Sequence, residues 1–213
     1  MTSLPPPLAA LASAPAPMAA LRTGLIRQAE SAGVLDAAYR YLDTPLGRLF
    51  LAATPRGIVR VGFEHEREAL TSLVEDAGPR VLHAPEEPAR AATGTPDRPA
   101  VRILERAAGE LTEYFAGERE EFTVPVDLRL TGFRGEVVQF LPYIGYGRRA
   151  SYKELAREVG NPGAVRAVGS ACANNPIPII LPCHRVVRSD GSWGNYRGGP
   201  AAKTFLLELE RSA

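Results

Sequence analysis

Cysteine is scarce in this chain of 213 residues: there are two, Cys172 and Cys183. Two cysteines cannot build a disulfide framework, and with so few a Cys-rich zinc site is not expected. Free thiols suit a reducing compartment, so a cytoplasmic protein is expected. Long apolar runs are missing as well. No stretch approaches the roughly 20 residues that a membrane span requires, so no membrane role is expected. His65 and His83 stand alone, without ligand spacing, and neither a metal nor a cofactor is called for. Charge of one sign is also lacking, the formal net being +1. Its distribution is more informative: residues 131–213 carry 11 Lys+Arg against 6 Asp+Glu, and residues 1–130 carry 14 against 18. A basic C-terminal half suits a phosphate-facing surface.

The head, up to about Pro17, is rich in Pro and Ala and has no basic residue. It lacks the charged start of a secretory signal and reads as a disordered extension. Met18, Leu21, Leu25 and Ala29 then fall at the spacing of a short helix. From Tyr39 to Phe63 the pattern alternates and is broken by two turn signals, Thr44-Pro45-Leu46-Gly47 and Thr54-Pro55-Arg56-Gly57. That predicts three short antiparallel strands, followed by a helix over Glu64 to Asp76. A polar, Pro-containing linker runs from Pro85 to Pro99. Beyond it, Val101, Leu104, Ala108, Leu111 and Phe115 form one helical stripe. Phe122 to Val126 is extended, and a further helix begins at Phe133, which Pro142 should end early. The organisation expected is α+β. It has an extension over 1–38, a small N-terminal antiparallel-sheet domain with a helix and linker over 39–98, and a mainly helical C-terminal domain over 99–213.

Within that last domain, Ser151-Tyr152-Lys153-Glu154 is a capping box that fixes a helix start at Ser151. Gly160 stops this helix, and Asn161-Pro162 should cap and open a second one running to about Ala173. Two short helices joined by a tight turn make a helix-turn-helix candidate. On the second helix Val165, Val168 and Cys172 should face the core. Arg166, Gly169, Ser170 and Ala173 form another face, small apart from one guanidinium, that could approach a groove closely or pack on another helix.

The stretch from Asn174 to Tyr196 reads Asn-Asn-Pro-Ile-Pro-Ile-Ile-Leu-Pro-Cys-His-Arg-Val-Val-Arg-Ser-Asp-Gly-Ser-Trp-Gly-Asn-Tyr. Its prolines rule out a central strand and suggest a rigid, buried, extended rail. That rail delivers Cys183 beside His184 and Arg185, and nearby positive charge favours a thiolate. A lone cysteine is more often an inert core residue. The whole string, however, resembles the active-site signature of the O6-alkylguanine-DNA alkyltransferases, from Asn-Pro-Ile-Pro-Ile through Pro-Cys-His-Arg-Val to Gly-Asn-Tyr-Arg-Gly-Gly. The resemblance covers roughly Tyr39 to Glu210.

It implies that Cys183 takes an alkyl group from O6-alkylguanine, and possibly O4-alkylthymine, in double-stranded DNA. The transfer is direct and irreversible, because nothing hydrolyses a thioether. By the same resemblance His184 removes the thiol proton through a water, Glu210 orients the imidazole, and Asn175 braces the turn that holds the site. Arg166 would fill the space of an extruded base, with Tyr152 helping to rotate the nucleotide, on a DNA face that includes Gly169, Ser170 and Ala173. Extrusion is required because the reacting carbon lies inside the duplex. The base pocket would be formed by Tyr152, Val186, Tyr196, Arg197 and Gly198. No cofactor is implied, and a monomer is expected. Pro142, Trp193 and Arg197 depart from the family pattern. An alternative is therefore a protein that binds alkylated DNA without transferring the group, although such relatives replace the cysteine that this chain keeps. A thiol hydrolase using Cys183 and His184 is a third reading. Neighbours on an extended segment face opposite ways, which makes direct contact between them awkward.

Overall fold

A computed structural model of the chain describes residues 34–63, 66–84 and 98–211, together with Gln28. Apart from Gln28 and residues 34–38, the expected extension, with the helix through Met18 to Ala29, lies outside the described residues, as do His65 and most of the linker. The alternating segment folds as a meander of β1 (Ala37–Thr44), β2 (Gly47–Thr54) and β3 (Gly57–Phe63). Each hairpin turns at one of the two Thr-Pro-X-Gly signals. In the first, Leu46 N donates to Thr44 Oγ1 at 3.2 Å, and Gly47 sits at φ +91°, which only glycine adopts readily. A helix, α1 (Glu66–Ala77), follows. A three-residue strand, β4 (Val81–His83), then runs parallel to β1, giving the order β3-β2-β1-β4. This strand is absent from the sequence reading because three residues carry no period.

The sheet is covered on both sides, which explains why β2 is apolar at nearly every position. Leu49, Leu51 and Ala53 meet α2 (Pro99–Phe115) through Leu104 and Leu111. Phe50 and Ala52 point the other way, with Val59, onto Leu73 of α1. The helix after the linker therefore lies on the N-terminal sheet, and the core beneath it continues unbroken into the C-terminal half.

The outer edge of β3 is closed by chain from the C-terminal direction. Ile58 N donates to Pro125 O at 2.8 Å, Asp127 N to Ile58 O at 2.8 Å, and Val61 N to Pro176 O at 2.9 Å. Such closure blunts an otherwise exposed strand edge. The approach at Gly57 is so close that a Cβ there would lie 2.6 Å from Asp127 N.

The C-terminal half continues with α3 (Gly132–Phe140), which passes into a 3₁₀ turn, Leu141–Tyr143, at Pro142. A residue without an N–H cannot prolong the α-helical ladder, so the early stop is as expected. Next come β5 (Ala150–Ser151), α4 (Tyr152–Glu158) and α5 (Val165–Ala173). A 3₁₀ turn at Cys183–Arg185 leads into β6 (Val186–Val187), parallel to β5, and α6 (Gly199–Leu209) follows. The architecture is α+β, an N-terminal sheet unit and a helical C-terminal unit. Among the described residues no helix is long and apolar enough to cross a membrane.

Candidate active site

The segment leading to Cys183 is buried, but it is not an extended rail. Leu181 N donates back to Ile177 O at 2.9 Å, and Ile179 takes φ +75°, a conformation few non-glycine residues adopt. Asn175 ties this turn from inside, donating Nδ2 to Leu181 O at 2.7 Å and accepting from Ile177 N at 3.0 Å. Asn175→Ala would leave two buried backbone groups without partners, at a cost of roughly 1–3 kcal/mol each. Chemical unfolding is expected to show a loss of about 2–4 kcal/mol.

Because the turn feeds a 3₁₀ segment, Cys183, His184 and Arg185 fan out rather than alternate, and all three are buried. His184 and Arg185 both reach Glu210, the residue that caps the C-terminus of α6. His184 Nε2 lies 2.7 Å from Glu210 Oε1. Arg185 grips the same carboxylate through Nε to Oε2 at 3.0 Å and Nη2 to Oε1 at 3.0 Å, and its Nη1 donates to Ile144 O at 2.5 Å. Gly147 N donates to Oε2 at 3.2 Å, and the Tyr114 hydroxyl of α2 to Oε1 at 2.7 Å. Burial alone would raise the carboxyl, but His184 and Arg185 outweigh it and hold it down at about 2. Glu210 is therefore an anion, His184 Nε2 carries the proton it shares with Oε1, and Nδ1 is an acceptor. That Nδ1 is buried and meets no described protein donor. Burial also pulls the imidazole below its ordinary value, Arg185 and Lys203 add to this, and Glu210 opposes it.

The thiol differs from expectation. Burial pushes Cys183 up to about 11, against the smaller lowering influences of Asn175, Lys203, its own backbone and Arg197. Arg185 is turned to Glu210, so it does not activate the sulfur. At pH 7 a thiol of that strength is ionised in roughly one molecule in ten thousand, and a base must take the proton at the moment of reaction.

The capping box at Ser151 forms as the sequence spells it, with Glu154 N to Ser151 Oγ at 3.1 Å and Ser151 N to Glu154 Oε2 at 2.6 Å. The second helix starts later than Asn161-Pro162. Ala164 N closes a turn onto Asn161 O at 3.0 Å, so Pro162 and Gly163 belong to the connection and α5 begins at Val165. Arg166, Ser170 and Ala173 are exposed and Gly169 is half-buried beside them, while Val168, Ala171 and Cys172 go to the core. A Cβ on Gly169 would meet nothing within 4 Å, so this small-residue face is open, not packed on another helix. Around α4, Arg149, Lys153, Arg157 and Arg188 line a cleft of about 560 Å³ whose one carboxylate, Glu154, is held in the capping box.

Tyr152 joins this face to the buried site. Its hydroxyl stands where a Cβ on Gly194 would come within 2.7 Å, which makes glycine necessary there. Burial, and then Cys172 and Cys183, push the phenol up to about 12, so it remains a donor. Val186 and Tyr196 are buried, and the Tyr196 ring lies 6.2 Å from that of His184. Arg197 is exposed and, with Gly198, lines a separate cleft of about 580 Å³ shared with Arg60 and Phe63 of β3. Asn175, Cys183, His184 and Glu210 are thus one buried cluster reached by Tyr152 and Tyr196. Arg166, Gly169, Ser170 and Ala173 form an outer face.

Three polar side chains at this cluster escaped the sequence reading. Tyr114 and the full grip of Arg185 are two of them. The third, Lys203, is completely buried, donates Nζ to Val186 O at 2.6 Å and also bonds Trp193 O, binding β6 to the loop before α6. Burial lowers it to about 8, opposed by Cys183 and Cys172. No group of three or more His, Cys, Asp or Glu among the described residues could hold a metal.

Two family models cover nearly all of the described chain. One, the ribonuclease-like domain of 6-O-methylguanine DNA methyltransferase, matches residues 37–128, and the other, its DNA binding domain, matches 132–212. The methylated-DNA–protein-cysteine methyltransferase of Mycobacterium tuberculosis H37Rv is 42% identical over 174 residues, 82% of this chain and 92% of that one. The inducible enzyme of that name from Bacillus subtilis 168 is 39% identical over 164 residues, 77% of this chain and 84% of that one. The crystal structure of M. tuberculosis OGT in complex with DNA superposes with a TM-score of 0.62 at 38% identity, covering 82% of this chain and 93% of that one.

Proposed function

The chain belongs to the methylated-DNA–protein-cysteine methyltransferase family, a repair enzyme by direct alkyl transfer, and from that premise we propose that Cys183 is the acceptor, alkylated once and irreversibly. The observation that carries the assignment is the buried relay beside it: Glu210 anchored from several sides, His184 fixed by it through Nε2, and Nδ1 left as acceptor. The Sγ proton passes through one water to Nδ1, and the imidazolium is stabilised by Glu210. Sulfur attacks the alkyl carbon in line. As the S–C bond forms the C–O bond breaks, and the electron pair leaves with guanine O6, to which the Tyr152 hydroxyl donates. A nucleophile, a base and an orienter divide the work as in other activated nucleophiles.

The substrate in this reading is O6-alkylguanine swung out of double-stranded DNA. The α4–α5 pair acts as a helix-turn-helix, with the Arg166–Gly169–Ser170–Ala173 face in the groove and the cationic cleft on phosphates. The protein works as a cytoplasmic monomer. Arg166→Ala is expected to slow repair of a duplex about 10-fold or more, while reaction with free O6-benzylguanine changes far less, since only the duplex must be opened. Equal losses in both assays would remove Arg166 from base extrusion.

The direct test is intact-mass analysis after incubation with a duplex containing O6-methylguanine. One methyl per chain, mapped to the Cys183 peptide, is expected. Tight binding with no mass gain would instead make the protein a lesion binder.

A further inference from the structure

The relay has a member from the middle of the chain, and we propose that Tyr114 is a positioning residue that sets the basicity of His184 through Glu210. The inference rests on the reading of Cys183, His184 and Glu210 given above and adds to it a residue of the N-terminal family model. Tyr114 lies on α2, the helix that packs on the N-terminal sheet, and it is completely buried. Its ring packs against Phe122 at 5.2 Å and Tyr146 at 6.1 Å between centroids, so the hydroxyl is aimed rather than free to swing.

That hydroxyl reaches the oxygen that His184 uses. Glu210 Oε1 accepts from Tyr114 at 2.7 Å, pairs with His184 Nε2 at 2.7 Å, and is approached by Arg185 Nη2 at 3.0 Å and Nε at 3.2 Å. A carboxylate oxygen has two lone pairs, so these donors share limited electron density. Burial, and then the carboxylate itself, push the Tyr114 phenol far above its ordinary value, so it acts as a permanent donor. An orienting carboxylate without competitors would hold an imidazolium tightly. His184 would then hold a proton over more of the working range and serve less well as a base. With the Tyr114 donor in place, Oε1 aligns the ring while part of its charge is spent elsewhere.

Other charged and titratable groups face the same pair. They are Cys183 and Arg185 on the 3₁₀ turn, Lys203 on α6, Tyr146 before Gly147 and Tyr196 in the loop, with Arg149 and Arg211 beside Glu210 at the surface. None but Arg185 shares Oε1 with the imidazole among the described hydrogen bonds. Arg185 grips both oxygens and belongs to the ion pair, so the hydroxyl is the part that can be removed without dismantling the site.

Tyr114→Phe keeps the ring packing and deletes only the donor. The imidazolium gains a larger share of Oε1, so the His184 pKa rises. The acidic limb of the transfer-rate profile against free O6-benzylguanine should move to higher pH by about half a unit to one unit. The same displacement should appear in the NMR titration of the His184 ring in a Cys183→Ala background, which needs no transfer. A lower melting temperature with limb and ring titration both unmoved would make Tyr114 merely structural and overturn the proposal. Glu210→Gln separates the two layers. If it leaves the rate–pH profile of the wild type intact, the relay itself is wrong. If it slows transfer while Tyr114→Phe shifts nothing, only the tyrosine assignment falls.

Discussion

Cys183→Ala protein is expected to take up no alkyl group from either duplex or free base, while still binding methylated duplex DNA. The loss should be complete rather than partial, because the second cysteine cannot substitute. Cys172 faces the core from α5, is buried, and is held far above the ordinary thiol range by that burial and by Cys183. Removing one sulfur and one proton from the cluster leaves the Asn175 turn and the Glu210 anchors intact, so folding should be little affected. Intact-mass analysis and gel-shift titration on the same preparation check both halves. Residual transfer mapped to Cys172, or to any other residue, would displace Cys183 as acceptor.

Glu210→Ala should produce the largest loss of stability of any single substitution at the site. Arg185 would keep a guanidinium under the surface with its carboxylate partner gone, and breaking a buried pair on one side typically costs about 3–5 kcal/mol. Tyr114 and Gly147 would lose their acceptor as well. The pH dependence should change too. Glu210 sits at about 2 in the folded protein against an ordinary 4.5, so its contribution is fully present above about 4.5 and is lost as the pH falls towards 2. His184 is also lowered by burial, so wild-type stability already declines as the pH drops below its ordinary value of 6.5. The variant should lose the Glu210 share of the acid-side slope between 4.5 and 2, the remainder coming from other carboxylates held low in the folded protein, Glu110 and Asp127 among them. Urea unfolding across that range measures it, and a wild-type-like slope would mean that another carboxylate is responsible.

The contiguous parts of the site were legible in the sequence. Asn175, Cys183, His184 and Tyr196 lie within one string, and the capping box that starts α4 is spelled by adjacent residues, whereas Arg197 and Gly198, next in the string, line a separate cleft. The three-strand meander was equally clear, because Thr-Pro-X-Gly turns interrupt an alternating pattern. What escaped depends on where a side chain is sent. Phe115 was read into the buried stripe of α2, yet it is Tyr114, one residue earlier, that is completely buried, because its hydroxyl has an anion to reach. Lys203 sits beside Ala202 in a stripe that otherwise reads as apolar, and nothing local announces that two carbonyls await its ammonium. Arg185 next to Cys183 suggested an activated thiol, but a 3₁₀ turn sends it to Glu210, a destination sequence adjacency cannot give. The late start of α5 has a simpler cause, a turn at Asn161 competing with a helix cap.

The bond from Val61 N to Pro176 O, with the pairing of Ile58 to 125–127 below it, gives Cys183 an unusual dependency. The platform that holds it inherits the lifetime of a strand border many residues upstream. A fluctuation that frees Pro176 strips β3 of part of its cover at the same moment. Genetic damage near Gly57, nowhere near the chemistry, should therefore surface as a shortage of usable protein, and so as unrepaired lesions in the genome.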